Sequence, residues 1–108
     1  VIALTFSVAF SFYENSDVVE LVSQNYKQVD DGIWFMQYYA NWCPHCKALI
    51  PTWMKLATLF EGILVVSAID AGSQSIQVDY IPGFPMFRFL FQGNYVMYKG
   101  TKTLNDFI

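Results

Sequence analysis

Residues 42–47 read Trp42-Cys43-Pro44-His45-Cys46-Lys47, and this stretch holds both cysteines and the one histidine of the chain. The run before it, 33–40, is rich in β-branched and aromatic residues and predicts a buried strand. The run after it, 47–60, repeats apolar residues at helical spacing. Both cysteines therefore lie in the turn between a strand and a helix, where a Cys-x-x-Cys pair indicates a redox motif.

The two-residue spacing lets both sulfurs lie in the first helical turn and close a short disulfide. Cys43 would lie at the helix start, where unpaired N–H groups and the positive end of the helix dipole stabilise a thiolate. That stabilisation lowers the thiol pKa and makes the sulfur a nucleophile and a good leaving group. Cys46, one turn further in, suits the role of the resolving thiol that attacks a mixed disulfide at Cys43.

The two residues between the cysteines also have roles in this prediction. Pro44 can take the first helical position, where its missing N–H costs little. His45 can add positive charge or a hydrogen bond to the Cys43 thiolate. A better stabilised thiolate favours the reduced form, so the oxidised form becomes a stronger oxidant.

Two other uses of the cysteine pair remain open. A Cys-x-x-Cys pair can form half of a zinc site, but a closed structural site needs about four ligands, and this chain offers two cysteines and one histidine. A purely structural disulfide is the other alternative, although a loop this short gains little by constraining the unfolded chain. We therefore predict no metal site.

Four segments together resemble the catalytic domains of the protein disulfide isomerase family, within the thioredoxin-like domains. The first is Tyr39–Lys47, which matches the family's active-site segment. Pro51 stands where the family has a proline that kinks the active-site helix. The last two are Ile81–Phe87, similar to the family's Gly-aromatic-Pro loop, and Tyr98–Thr103, similar to its closing segment. The resemblance extends from about Asp17 to Ile108.

The resemblance implies that the Phe84–Pro85 peptide bond is cis and faces the disulfide. The backbone of Phe84 and Met86 would then lie beside the Cys43 sulfur, where an extended substrate could pair as an added strand. On this basis Trp42, Phe84, Pro85 and Met86 are predicted substrate contacts. For Phe84 and Met86, ordinary packing at the end of a strand is an equal alternative.

The chain departs from the family at a buried acidic position. In the family, an acidic residue six positions before the first cysteine relays the proton of the second cysteine. Here that residue is Gln37, which can form hydrogen bonds but cannot take a proton at neutral pH. The lysine that often pairs with the acid is replaced by Ala68. Lys102 stands where the family often has an arginine that moves toward the second cysteine; a solvated surface lysine is the alternative.

The predicted fold is α/β and thioredoxin-like: a central mixed sheet of four or five strands, helices on both faces, and the active site at the start of a long kinked helix. The predicted strands are 18–22, 33–39, 63–69 and an antiparallel hairpin, 86–91 with 94–99. The predicted helices are 23–29 (capped by Ser23), 44–60, 74–80 and a last one from Leu104 that looks incomplete. The thioredoxin-like domain covers 17–108.

Residues 1–13 are apolar and uncharged, and they precede that domain. Their length suits the apolar core of a secretory signal peptide and is short for a transmembrane helix. Small residues at Ala9, Ser11 and Ser16 leave room for cleavage. We predict that 1–16 is a signal peptide remnant or an N-terminal extension; a buried first strand and a signal anchor are the alternatives.

The composition fits one small domain with a hydrophobic core. The chain has 108 residues, 55% of them hydrophobic and 19% aromatic, with a formal charge of −3. Its six basic residues are scattered, so no basic surface suggests nucleic acid. No stable membrane insertion of the domain is predicted.

These features predict a thiol–disulfide oxidoreductase of the disulfide isomerase type, with Cys43, Cys46 and His45 catalytic and Trp42, Pro44, Pro85, Gln37 and Lys102 in support. The redox-active disulfide would need no other cofactor, and glutathione or an oxidase would recharge it. Unfolded or misoxidised proteins are the predicted substrates, and the endoplasmic reticulum lumen or another secretory compartment is the predicted location. The alternatives are a chaperone-like substrate-binding domain and a metal-binding module.

Overall fold

The computed structural model describes residues 12–73 and 81–100. They form five strands, Val19–Leu21 (β1), Ile33–Tyr39 (β2), Val65–Asp70 (β3), Met86–Phe91 (β4) and Asn94–Met97 (β5). A 3₁₀-helix spans Tyr26–Asp30, and one α-helix (α1) spans Pro44–Leu59. The strands lie in one sheet in the order β1-β3-β2-β4-β5. β1, β3 and β2 are parallel, whereas β4 and β5 are antiparallel additions, so the sheet is mixed as predicted.

Strand β2 lies at the centre of the sheet and leads directly into the cysteine pair. Its bounds are those predicted from the sequence, and every residue after Ile33 is buried. A strand with neighbours on both sides and cover on both faces needs a nearly continuous apolar run, which this segment provides. Because β2 pairs with both β3 and β4, the position of Tyr39, where the cysteine segment begins, is fixed.

Helix α1 begins at Pro44 and packs its apolar side against one face of the sheet. Trp53 and Leu56 are fully buried there, and the Trp53 Nε1–H donates to the carbonyl of Ser67 on β3 at 3.1 Å. Pro51 lies inside the helix, where it removes one internal hydrogen bond. The helix ends at Leu59, one residue before the predicted end, and Phe60 caps it.

The opposite face of the sheet carries a second apolar cluster, which includes Trp34, Met36 and Tyr38 of β2. Val29 of the 3₁₀-helix is buried in this cluster. Two predicted helices, over 74–80 and from Leu104, lie outside the described residues, as does Lys102.

The connection between β1 and β2 differs from the prediction. A helix over 23–29 with Ser23 as its cap was wrong, because the helical residues are Tyr26–Asp30 and the preceding position is Asn25. The Asn25 side chain accepts a hydrogen bond from the backbone N–H of Val22 at 2.8 Å. Asparagine commonly offers the backbone such a local alternative to helix, which delays the helical turn.

The hairpin of β4 and β5 turns at Gln92-Gly93, as the sequence predicts. Both residues have positive φ values, 49° and 86°. Two consecutive positive φ values are typical of the tight turn that fits the twist of paired strands. β5 ends at Met97, two residues earlier than predicted.

Two aromatic residues before the first strand belong to the core. Phe12 and Tyr13 are 8% and 1% exposed and lie in the same cluster as the cysteines and Trp53. The Phe12 ring stacks on Tyr39 with 4.6 Å between centroids. Phe12 and Tyr13 therefore pack into the core although they precede β1.

Candidate active site

The two cysteines lie at the start of α1 and are both free thiols. Cys43 is the residue that caps the helix, and its Sγ accepts a hydrogen bond from the backbone N–H of Cys46 at 3.3 Å. An N–H at a helix start carries partial positive charge, and here it points at the Cys43 sulfur. Pro44 occupies the first helical position, and His45 is exposed beside it.

Cys46 lies in an environment that disfavours its thiolate. It is fully buried, and burial raises the pKa of Cys46 to about 12, with a hydrogen bond to the Cys43 side chain as the next cause. A contact with the Ala40 backbone lowers the pKa of Cys46, while the charges of Cys43 and Asp70 raise it further. The two thiols therefore lie in different environments: Cys43 accepts an N–H at the helix start, whereas Cys46 is buried and keeps its proton at neutral pH.

A loop from another part of the chain faces the Cys43 sulfur. The Phe84–Pro85 peptide bond is cis, as the resemblance implies. The Cys43 thiol donates to the Phe84 carbonyl with 3.6 Å between sulfur and oxygen. The sequence separation of these residues is 41, so the fold brings the loop and the cysteine together.

The aromatic residues around this loop are unequally exposed. Trp42 is 65% exposed, and its ring meets that of Phe84 edge-on with 5.8 Å between centroids. A cleft of about 360 Å³ runs from the loop, 82–87, to the last residue of β5 and the segment after it, 97–100. Met86 is 4% exposed and packs in the second core cluster, so its side chain lies apart from Trp42.

Gln37 is fully buried on β2, beside Ala68 of β3. Its Oε1 accepts a hydrogen bond from the Tyr13 hydroxyl at 2.8 Å. The Nε2 group has no hydrogen-bond partner within the part of the chain that is described. Since an amide cannot take a proton at neutral pH, no acid–base group occupies this position.

Asp70 is a site residue that the sequence analysis missed. It is 6% exposed and closes β3 next to Tyr39, the last residue of β2. The sequence offered one signal, because the carboxyl ends of parallel strands meet at the same sheet edge. An acidic residue at the end of β3 lies at the same sheet edge as the turn that follows β2, and this signal could have identified it.

Two features of the described residues concern the other interpretations. Across 12–73 and 81–100, no group of three or more His, Cys, Asp or Glu side chains could hold a metal ion. In the same ranges, no helix has both the length and the apolar character that a membrane crossing requires. Of the predicted site residues, the structure brings together Trp42, Cys43, Cys46, Phe84 and Pro85.

Comparisons with known proteins agree with this architecture. A family model described as Thioredoxin matches residues 17–108. Protein disulfide-isomerase 2-3 of Arabidopsis thaliana is 36% identical over 89% of this chain and 25% of its own length. Protein disulfide-isomerase A6 of Mus musculus is 35% identical over 81% of this chain and 21% of its own. This chain therefore spans a quarter or less of these curated relatives.

A solved structure gives the same result for the fold. The first thioredoxin domain of mouse Protein disulfide-isomerase A4 superimposes with a TM-score of 0.75 at 28% identity, covering 84% of this chain and 70% of that one. The predicted thioredoxin-like fold is confirmed, and so is the resemblance to domains of protein disulfide isomerases.

Proposed function

The chain belongs to the thioredoxin family, and we propose that it is a thiol–disulfide oxidoreductase of the protein disulfide isomerase type. The observation that carries the proposal is the unequal environment of the two thiols. Cys43 receives an N–H at a helix start, whereas Cys46 is buried and protonated. A nucleophile and a resolving thiol need this difference, because only the thiolate attacks.

The reaction follows from the positions of the sulfurs. The Cys43 thiolate attacks one sulfur of a substrate disulfide, forms a mixed disulfide and releases the other substrate sulfur as a thiolate. Cys46 then loses its proton and attacks Cys43 Sγ, so the Cys43–Cys46 bond forms and the mixed disulfide breaks. The substrate is reduced and the protein oxidised. The same steps in reverse oxidise a substrate dithiol.

The substrates we propose are cysteines in unfolded or misoxidised proteins. The exposed Trp42 ring and the Phe84 ring that meets it edge-on lie next to Cys43, and a cleft opens beside Pro85. An extended segment can pair with the backbone of the loop as an added strand. Met86 would take part through its backbone, since its side chain is buried.

The proposal also includes a compartment and redox partners for this chain. A disulfide oxidant or isomerase needs an oxidising environment, so we propose the endoplasmic reticulum lumen or another secretory compartment. The apolar run 1–13 supports delivery there as a signal or anchor. Glutathione or an oxidase would restore the disulfide. His45, exposed between the cysteines, and Lys102 remain proposed contributors to thiolate stability.

The redox equilibrium of Cys43 and Cys46 against glutathione buffers, measured by alkylation and mass, tests the proposal. An oxidant or isomerase is expected to have a midpoint of about −180 to −120 mV, and a thioredoxin-like reductase about −270 mV. Pro44→Gly should make the potential more reducing, since Pro-His is the dipeptide of a strongly oxidising bacterial relative and Gly-His is commonest in disulfide isomerases. A pair that never cycles over this range would refute the function.

A second candidate is a chaperone-like binding domain with weak turnover. The observation that favours it is the exposed Trp42 ring above a site where Gln37 and Ala68 leave no acid–base group at those two positions. Under this alternative, Cys43→Ser suppresses aggregation of an unfolded protein as well as the unchanged chain does. Loss of suppression in Cys43→Ser would dismiss it.

A further inference from the structure

The cleft between the loop 82–87 and the segment 97–100 opens next to the Cys43 sulfur. Phe84 lines this cleft, and its carbonyl oxygen lies 3.6 Å from Cys43 Sγ. Lys99 lines the cleft from the second segment. It is exposed, and it is the one charged side chain among the described residues that line the cleft. A substrate segment that lies in the cleft with its cysteine at Cys43 therefore comes within reach of an ammonium group.

Two more basic side chains lie at the same edge of the sheet. β5 runs parallel to β2, because each is antiparallel to β4, so both strands end at the edge where α1 begins. His45 and Lys47, in the first turn of α1, are exposed there, and Lys99 follows β5 at this edge. The edge that carries Cys43 therefore presents basic groups to solvent, although the formal charge of the whole chain is −3.

Exposed acidic side chains lie at the opposite edge of the sheet, before the first two strands and after α1. They are Asp17, Asp31 and Glu61. The hydrogen bond from the Thr58 hydroxyl to Asp17 Oδ2, at 2.9 Å, joins the end of α1 to the start of β1 and fixes this edge. An acidic substrate that approaches Cys43 therefore keeps away from these carboxylates.

Two further acids, Asp70 and Glu20, are each hydrogen-bonded within the fold. Asp70 closes β3, is 6% exposed, and accepts from the Gly72 N–H through Oδ1 at 3.1 Å. Glu20 of β1 accepts from the Tyr39 hydroxyl through Oε2 at 2.6 Å. These carboxylates are already engaged, whereas the basic side chains at the Cys43 edge face solvent.

We propose that the site prefers substrate cysteines with an aspartate or glutamate two positions away, and that Lys99 binds this acid. The inference rests on the proposed oxidoreductase function. Successive side chains of an extended segment point to opposite sides, so an acid two positions from the cysteine points to the same side of the added strand. With the substrate sulfur at Cys43, that carboxylate enters the cleft and pairs with the Lys99 ammonium. The preferred substrates are therefore unfolded segments that carry an acid close to the cysteine.

Peptides with one cysteine and one variable residue, two positions before or after it, test the preference. Each peptide is joined through its cysteine to an uncharged aryl thiol, and the reduced full chain is added. The Cys43 thiolate attacks the peptide sulfur, the bond to the aryl sulfur breaks, and the aryl thiolate leaves with the electron pair. Cys46 then attacks Cys43 Sγ and releases the peptide thiolate. Each rate of aryl release is divided by the rate that mercaptoethanol gives with the same peptide, which removes the effect of the acid on the disulfide itself.

At low salt, the normalised rate for a glutamate peptide should exceed that for a lysine peptide by about fivefold at one of the two positions, as an exposed ion pair allows. The ratio should approach one in about 1 M salt, because salt screens an exposed pair. Lys99→Gln should reduce the low-salt ratio to under about twofold, whereas Lys99→Arg should keep it. Lys55→Gln is the matched control and should leave the ratio unchanged, since Lys55 is exposed in the second half of α1.

The outcomes separate this inference from the proposed function. Equal normalised rates for the glutamate and lysine peptides at both positions would overturn the inference and leave the oxidoreductase function intact. A ratio that Lys99→Gln leaves unchanged would also overturn it, because the acid would then be bound elsewhere than at Lys99. No aryl release from any peptide would refute the proposed function, and the inference with it.

Discussion

Phe12 and Tyr13 should contribute a large part of the stability of the domain, although they precede the segment that resembles a thioredoxin domain. Phe12 stacks on Tyr39, and Tyr13 meets the same ring edge-on with 5.8 Å between centroids. Tyr13 also donates to Gln37 Oε1, which lies at the fully buried centre of the sheet. The perturbation that tests this is Phe12→Ala combined with Tyr13→Ala in the full chain.

The magnitude follows from these contacts. Replacing a buried aromatic side chain by alanine costs about 3–5 kcal/mol, from lost burial and the cavity left behind. Loss of the Tyr13 hydroxyl leaves the buried Gln37 Oε1 without this donor, which adds about 1–3 kcal/mol to the loss of stability. Because both rings contact Tyr39, the two costs should not add fully. We expect about 6 kcal/mol for the double variant, comparable with the whole stability of a small domain, about 5–15 kcal/mol.

Urea unfolding of the reduced protein, followed by circular dichroism, measures the change. The double variant should lose about 6 kcal/mol, and Tyr13→Phe should lose about 1–3 kcal/mol by removing the hydroxyl alone. Ile63→Ala is the control, because Ile63 is 67% exposed and its loss should change stability by no more than about 0.5 kcal/mol. A double variant with the same unfolding midpoint as the unchanged chain would refute the reasoning.

The same measurement bears on the prediction that residues 1–16 are a signal peptide remnant or an N-terminal extension. Cleavage after Ala9 or Ser11 would leave both aromatic residues in place, whereas cleavage after Ser16 would remove them. A chain that starts at residue 17 should therefore be strongly destabilised relative to a chain that starts at residue 12. Equal stability of these two chains would contradict the packing of Phe12 and Tyr13.

Three further predictions concern the site. Iodoacetamide should alkylate Cys43 first, while Cys46, whose pKa is raised to about 12, resists until the pH is well above neutral. Because the folded state holds the Cys46 proton more tightly than the unfolded state, whose thiol pKa is about 9, the free energy of unfolding should fall as pH rises from about 9 towards 12. The fall should be smaller in Cys46→Ala. Trp42→Ala should lower kcat/KM for a reduced protein substrate by about tenfold, leave glutathione turnover unchanged and shift the free energy of unfolding by under about 0.5 kcal/mol. Gly72→Ala should cost about 1–3 kcal/mol in urea unfolding, because its Cβ would meet Ala40 at 2.9 Å; no cost would mean that the turn can move away.

The parts of the fold that the sequence predicted well are those determined by local pattern. The bounds of β2 and the start of α1 match the prediction, since an apolar run and a proline at the first helical position are strong local signals. The turn at Gln92-Gly93 is another such signal. The 3₁₀-helix at Tyr26–Asp30 was placed too early, because the Asn25 side chain competes for a backbone N–H.

The polar partners within the core could not be predicted in this way. The hydrogen bond between Tyr13 and Gln37 joins residues 24 apart in sequence, and no periodicity relates them. Tyr13 lies at the end of an apolar run that suggested a signal peptide, so its place in the core depends on tertiary packing alone. The resemblance located Gln37 as a departure from the family, but it gave no partner for the amide.

The amide at position 37 affects how the Cys46 thiol can lose its proton. A buried thiol whose pKa is about 12 reacts slowly at neutral pH unless a nearby group takes its proton as it attacks. The amide of Gln37, with Oε1 fixed by Tyr13, can offer only N–H donors from Nε2 toward the surrounding core. Such donors can stabilise negative charge but cannot remove a proton. The acceptor for the Cys46 proton must therefore be a group other than Gln37, or solvent.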